Sequence, residues 1–203
     1  MAKNTILMYI RMLVLVAVQL YTVPVVLKAL GVEDYGIYNV VGGFVAMFTF
    51  INGSLVSGCQ RFMAYAIGQN DDESLKQIFE TSVFVFVILA LVLFVLLESI
   101  GIWFLNNQMN IPAERIVAAN WVLQLSILSL VASICTTPFN SSVIAHERMS
   151  VYAYLSIFES VYKLMIAFAI TVALTDKMIL YAILMFTSAL MVGIIYVVYS
   201  RRH

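Results

Sequence analysis

Apolar residues fall along this chain in six long blocks separated by short polar stretches, at about 5–30, 37–67, 78–105, 116–145, 151–174 and 178–199. Each block reaches the roughly 20 residues that a helix needs to cross hydrocarbon. Within hydrocarbon every backbone N–H and C=O must be bonded inside its own segment, and the blocks lack the roughly ten-residue alternation of a membrane barrel strand. The pattern predicts an all-α, polytopic bundle of six transmembrane helices, forming a single unit over residues 1–203. The connections are short, so sequence neighbours must run antiparallel. Gly31–Gly36 reads as a tight acidic turn, and Pro112 is placed to start the fourth helix.

Polar residues inside the blocks recur at helical spacing. In the first block Arg11, Gln19 and Thr22 fall within about a quarter turn of one another. The second carries Gly42, Ala46, Thr49, Gly53, Ser57, Gln60 and Ala64 on one face, with Asn52 inside the same apolar run. The fourth carries Ser126, Ser129, Ser133, Thr137 and Asn140, and the fifth Tyr152, Ser156, Glu159 and Lys163. The third is apolar on every face from Val83 to Leu97 and is expected to meet lipid on one side. Four striped blocks and two largely plain ones predict a bundle closed around a hydrophilic interior. Gly42, Ala46, Gly53 and Ser57 also match the small-xxx-small spacing that lets helices approach closely. Pro24 and Pro138 are placed to kink their helices.

Composition excludes a soluble domain: 63% of residues are hydrophobic, 11% are charged and the mean hydropathy is +1.00. The net charge is zero, so nothing points to nucleic acid. Cys59 and Cys135 lie in apolar runs without metal-ligand spacing and read as small buried hydrophobes. No small-residue cleavage site follows the first block, so it reads as a retained span and not a signal peptide. With a cytoplasmic N-terminus, Lys3, Arg11, Arg61, Lys76, Arg148, Arg201 and Arg202 lie toward the cytoplasm and Lys28, Arg115 and Lys177 on the far side. That asymmetry favours this orientation.

The candidate chemistry is that of a binding interior. Glu159 and Lys163 stand four apart in the favourable order for an ion pair. They form part of a substrate or proton pathway, or a self-neutralising structural pair. Arg11, about two turns inside the first block, either faces an anionic substrate or snorkels to the headgroups. Arg61 reads first as a membrane anchor. With the polar Gln19, Asn52, Gln60 and Asn140, these residues make up the expected lumenal substrate-binding set. His146, in a turn with Glu147 and Arg148, reads as a surface residue. There is no Gly-rich phosphate loop, catalytic carboxylate pair or metal-ligand cluster, so neither an enzyme nor a cofactor is expected.

Two stretches resemble a known family. One is LGVEDYGIYNVVGGFVAMFTFINGSLVSGCQRFMAYAIG, with Leu30-Gly31, Tyr35-Gly36, Asn52, Arg61-Phe62 and Gly68; the other covers Pro138-Phe139-Asn140, Ile144–Met149, Ser156-Ile157 and Lys163-Leu164. They resemble the polysaccharide-biosynthesis membrane proteins, the Wzx-like O-antigen and capsule flippases of the multidrug/oligosaccharidyl-lipid/polysaccharide exporter superfamily. The resemblance implies one lobe of a MATE- or MurJ-like flippase that carries undecaprenyl-diphosphate-linked oligosaccharide across the bacterial cytoplasmic membrane. It implies a cationic lumen, with Arg11 and Arg61 as its candidates. Family members carry two six-helix lobes, so this chain looks like the N-terminal one. Its partners would be a C-terminal lobe, a second copy or glycan-assembly proteins. A cation-coupled multidrug exporter of the same superfamily and a non-transporting scaffold or inactive fragment remain the alternatives.

Overall fold

The computed structural model describes the backbone of residues 2–202 and the side chains of residues 6–50 and 52–200. Lys3, Arg201 and Arg202, used above for orientation, lie outside the described side chains. The described chain is helical, with no strand among the described residues: α1 Ala2–Leu30, α2 Val32–Ala46, α3 Thr49–Gly68, α4 Asp72–Asn107, α5 Ile116–Ala145, α6 Met149–Val172 and α7 Lys177–Arg202. Five of these, α1, α4, α5, α6 and α7, are long and apolar enough to cross a membrane.

The second apolar block differs from the expected single helix. It is divided into α2, of 15 residues, and α3, of 20. Met47 and Phe48 keep helical dihedral angles, but the Phe48 amide bonds three residues back, to Val45 O at 3.1 Å. The Thr49 hydroxyl then donates to Ala46 O at 2.6 Å, the carbonyl that the amide of residue 50 would otherwise use. Two glycines, Gly42 and Gly43, precede the break and weaken the helix entering it. The expected turn over Gly31–Gly36 also contracts. Gly31 alone leaves helical geometry, at φ +85° where a side chain is strained, and Val32–Gly36 is the first turn of α2. Glu33 and Asp34 lie in that turn, where the helix dipole favours negative charge. Pro112 sits ahead of α5 in a turn closed by Arg115 N to Pro112 O at 2.8 Å, so it does not itself open the helix.

α5 is the central helix, packed on α2, α3, α4, α6 and α7. Around it lies the larger apolar core, with Val41 and Val45 from α2, Leu93 and Leu97 from α4, and Val122 and Ile127 from α5. A smaller core joins Val26 of α1, Ile166 and Ile170 of α6 and Tyr181 of α7. α7 touches both, giving Met178 and Ala182 to the first and Tyr181 to the second. α1 packs chiefly on α6 and, among the described residues, not on α3 or α5. Arg11 meets Tyr152 near the start of α6 and Val26 meets Ile166 and Ile170 near its end, so α1 and α6 run parallel. As expected, α4 buries one face, through Phe86, Ala90, Leu93 and Leu97, and exposes Phe84, Leu91 and Val95 on the other.

The glycines expected to bring helices together do not do so. A Cβ at Gly42, Gly43 or Gly53 would meet nothing within 4 Å. Close approach occurs instead at Gly101, where a Cβ would lie 3.1 Å from Leu123, and at Gly193, where it would lie 2.7 Å from Thr136 Cγ2. Gly42 and Gly43 front a cavity, so their lack of side chain opens space and does not close a contact.

Candidate functional site

A cavity of about 640 Å³ lies among α1, α3, α5, α6 and α7. Three stripes read from the sequence converge on it. α1 supplies Arg11, Gln19 and Thr22; α5 supplies Ser133, Thr137 and Asn140; α6 supplies Tyr152, Ser156, Glu159 and Lys163. α3 adds Asn52, whose Oδ1 accepts a hydrogen bond from Thr137 Oγ1 at 2.9 Å and so ties the cavity wall to α5. α7, whose sequence reads as plain, adds Tyr181 and Tyr196. Their hydroxyls lie outside the expected polar face, yet the sequence carries a signal for them: two tyrosines 15 residues apart lie within about 60° on a helix.

Among the described residues, Arg11 is the one cation lining the cavity without a carboxylate partner. Its Nη2 donates to the Tyr152 hydroxyl at 3.1 Å, and its guanidinium carbon lies 4.5 Å from the Tyr152 ring centroid. Its Nε is buried and finds no partner among the described residues, and the same is true of Asn140 Oδ1. Arg11 is therefore held by an aromatic ring from the neighbouring helix with donor capacity left over. That is an arrangement suited to receiving an anion. Lys163 Nζ donates to Glu159 Oε1 at 2.5 Å, and the pair faces the cavity with side chains 39% and 34% exposed.

A second cavity, of about 460 Å³, lies toward the opposite end of α5 among α2, α5 and α7. It is lined by Tyr38, Asn39, Gly42, Gly43 and Thr49 on one side and Ser126, Ser129 and Ser133 on the other. Glu159 and Lys163 line it too, and among the described residues they are its only charged ones. The two spaces thus share the ion pair as a common border.

Two members of the expected set lie elsewhere. Gln60 and Arg61 border neither cavity, and the Arg61 side chain is exposed. For Arg61 the reason is helical phase: it is nine residues beyond Asn52 on α3, about 180° around the axis. The break at Met47–Phe48 also splits the stripe of the second block, leaving Gly53 and Ser57 exposed on α3 while Gly42, Ala46 and Thr49 line the second cavity. His146 is exposed as expected, with its Nδ1 2.8 Å from Ser142 O. Cys59 is buried and lies 3.4 Å from the Ser82 hydroxyl.

At the far end of the bundle stands a clasp that the sequence does not signal. Arg115, at the start of α5, reaches Asp34 of α2 and Asp176, just before α7, at 2.9 Å each. It ties three connections together. Asp176 also accepts the amide of Met178 at 3.1 Å and so caps α7. Burial pushes the Asp34 carboxyl above its ordinary value of 3.8; Arg115 pulls it down, and Asp176 and Glu33 add to the rise. The residues that form this clasp stand at three separate helix ends, which is why no spacing in the sequence reveals them.

Compared with protein-family models, curated proteins and solved structures, the chain matches none.

Proposed function

We propose that this chain is part of a membrane transporter that moves lipid-linked oligosaccharide, carried on undecaprenyl diphosphate, across the bacterial cytoplasmic membrane for surface polysaccharide synthesis. The observation that carries the reading is the polar cavity with the Arg11 cation on its wall, without a carboxylate partner among the described residues. An ionised group at membrane depth costs at least a few kcal/mol unless it meets a partner or a cavity. A diphosphate headgroup meets that requirement, and hydroxyl and amide groups around it suit a glycan. The family resemblance in the sequence supports the same substrate class. In this reading the N-terminus is cytoplasmic, as the basic residues favour, and α2 and α3 together make the sixth crossing, since Met47 and Phe48 keep helical dihedral angles.

The multidrug-exporter alternative needs a free lumenal carboxylate to bind a cationic drug or a coupling ion. Among the described residues Glu159 is the only carboxylate lining either cavity, and Lys163 already occupies it. A scaffold would need no cation on a cavity wall. The test is Arg11→Ala in cells that depend on the gene. We expect loss of surface polysaccharide, with the lipid-linked precursor accumulating on the cytoplasmic side. Normal surface polysaccharide at normal protein level would sink the proposal.

A further inference from the structure

We propose that Glu159 is a proton-binding site coupled to anion occupancy of the cavity: a dianion displaces Glu159 from Lys163, and Glu159 takes up one proton. The inference rests on the reading of the first cavity as the seat of an anionic headgroup and adds what that binding does to the ion pair.

Charge carries the inference. Among the described residues three charged side chains line the first cavity, Arg11, Lys163 and Glu159, and together they hold one net positive charge. A diphosphate diester carries two negative charges. Its entry alone would leave the cavity with one net negative charge, at a depth where unbalanced charge is costly. Uptake of a single proton by Glu159 brings the whole to neutrality. Protonation also removes the attraction that holds Lys163, so the ammonium is released to the anion at the moment the anion needs it. The proton comes from water in the cavities; a carboxylate becomes a carboxylic acid, and no other bond changes.

Glu159 is placed for this exchange. It borders both cavities, so water reaches it from either one, and a third of its side chain is exposed. The groups that face it are few. Its own helix brings Lys163 and Tyr152, α1 brings Arg11, α7 brings Tyr181 and Tyr196, and α2 brings Tyr38 across the second cavity. Among the described residues, α3 and α5 line these spaces with uncharged groups only. Tyr196 and Tyr152 line the same cavity as Glu159 and Arg11, so the carboxylate and the unpaired cation face one space. No other carboxylate among the described residues lines either space to take the proton.

The test uses the full chain in lipid nanodiscs and sulfate as the probe, a dianion that does not itself titrate near neutrality. Sulfate binding by the wild type should take up about one proton, read by a pH-indicator dye in weak buffer. Its Kd should then weaken as the pH rises, by about tenfold per pH unit wherever one proton is taken up on binding. In Glu159→Gln the cavity already balances a dianion, so sulfate should bind with no proton uptake and a flat pH dependence. Sulfate binding to the wild type without proton uptake would overturn the coupling and leave the anion-binding cavity intact. Absence of sulfate binding in both proteins would overturn the cavity reading as well. Should Glu159→Gln fail to fold, the wild-type dye measurement alone decides the coupling.

Discussion

Lys163 and Glu159 stand one turn apart on α6, joined Nζ to Oε1, and among the described residues are the only charged ones that border both polar cavities. A pair with a third or more of each side chain exposed contributes little to stability, about 1 kcal/mol or less. Its position argues for a role in what passes. The neutral double variant Glu159→Gln/Lys163→Met separates the two readings of this pair. We predict that it folds with a melting temperature within a few degrees of the wild type and fails to support surface polysaccharide. A purely structural pair would leave export intact in that variant, because no charge is stranded.

Arg115 holds two carboxylates, and they are not equivalent. Removing the cation leaves the buried Asp34 facing Asp176, so Arg115→Ala should destabilise the protein by about 2–3 kcal/mol. That is below the range for a fully buried pair because the Arg115 side chain is 37% exposed. In the Asp34→Asn background the cost should fall, since only Asp176 then loses its partner. Thermal unfolding in detergent of the four proteins closes the cycle; equal costs in both backgrounds would show that Asp34 is not coupled to Arg115.

The Asp34 carboxyl, raised by burial, also sets the sign of a pH effect. The folded state holds its proton more tightly than the unfolded chain does. This site therefore favours folding most below the ordinary value of 3.8, and that contribution is lost as pH rises through the raised folded value. We expect Asp34→Asn to be at least as stable as the wild type at neutral pH. On acidification from neutral pH the wild type should gain stability relative to the Asp34→Asn variant. A wild type that instead loses ground to Asp34→Asn on acidification would place the carboxyl below its ordinary value.

Gly193 and Gly42 should respond in opposite ways to alanine. At Gly193 the new methyl would lie 2.7 Å from Thr136 Cγ2, and Thr136 is held by its own hydroxyl bond to Ser133 O at 3.0 Å. Gly193→Ala should cost about 1–3 kcal/mol by forcing α5 and α7 apart. Gly42→Ala meets no atom within 4 Å and should be neutral or gain up to about 1 kcal/mol from a less flexible unfolded chain. Melting temperatures of the two variants check both; a large loss at Gly42 would mean that another helix packs there.

Much of this is legible in the sequence because membrane helices carry their environment in their periodicity. The stripes on α1, α5 and α6 can be read residue by residue, and Arg11, Gln19, Asn140, Glu159 and Lys163 do face one space, with Asn52. Helical phase within one uninterrupted helix depends only on spacing. Where the helix is interrupted, phase fails: the stripe assigned to the second block crosses Met47–Phe48, and Gly53 and Ser57 fall away from the cavity that Gly42 and Ala46 line. The glycines mislead for a related reason. Small-xxx-small spacing says that a face can be approached, but not whether a neighbour is there, and at Gly42 the space is a cavity. The Arg115 clasp is invisible in the sequence because Asp34, Arg115 and Asp176 are brought together by three different connections.

The most direct test of transport is to reconstitute the full chain in liposomes carrying a fluorescently labelled undecaprenyl-diphosphate oligosaccharide in both leaflets, then add a membrane-impermeant quencher outside. A flippase renews the outer leaflet, so nearly all of the fluorescence should be lost with the wild type and only the outer-leaflet share, about half, with Arg11→Ala. Protection of the inner-leaflet half in wild-type liposomes, equal to that in protein-free ones, would contradict transport.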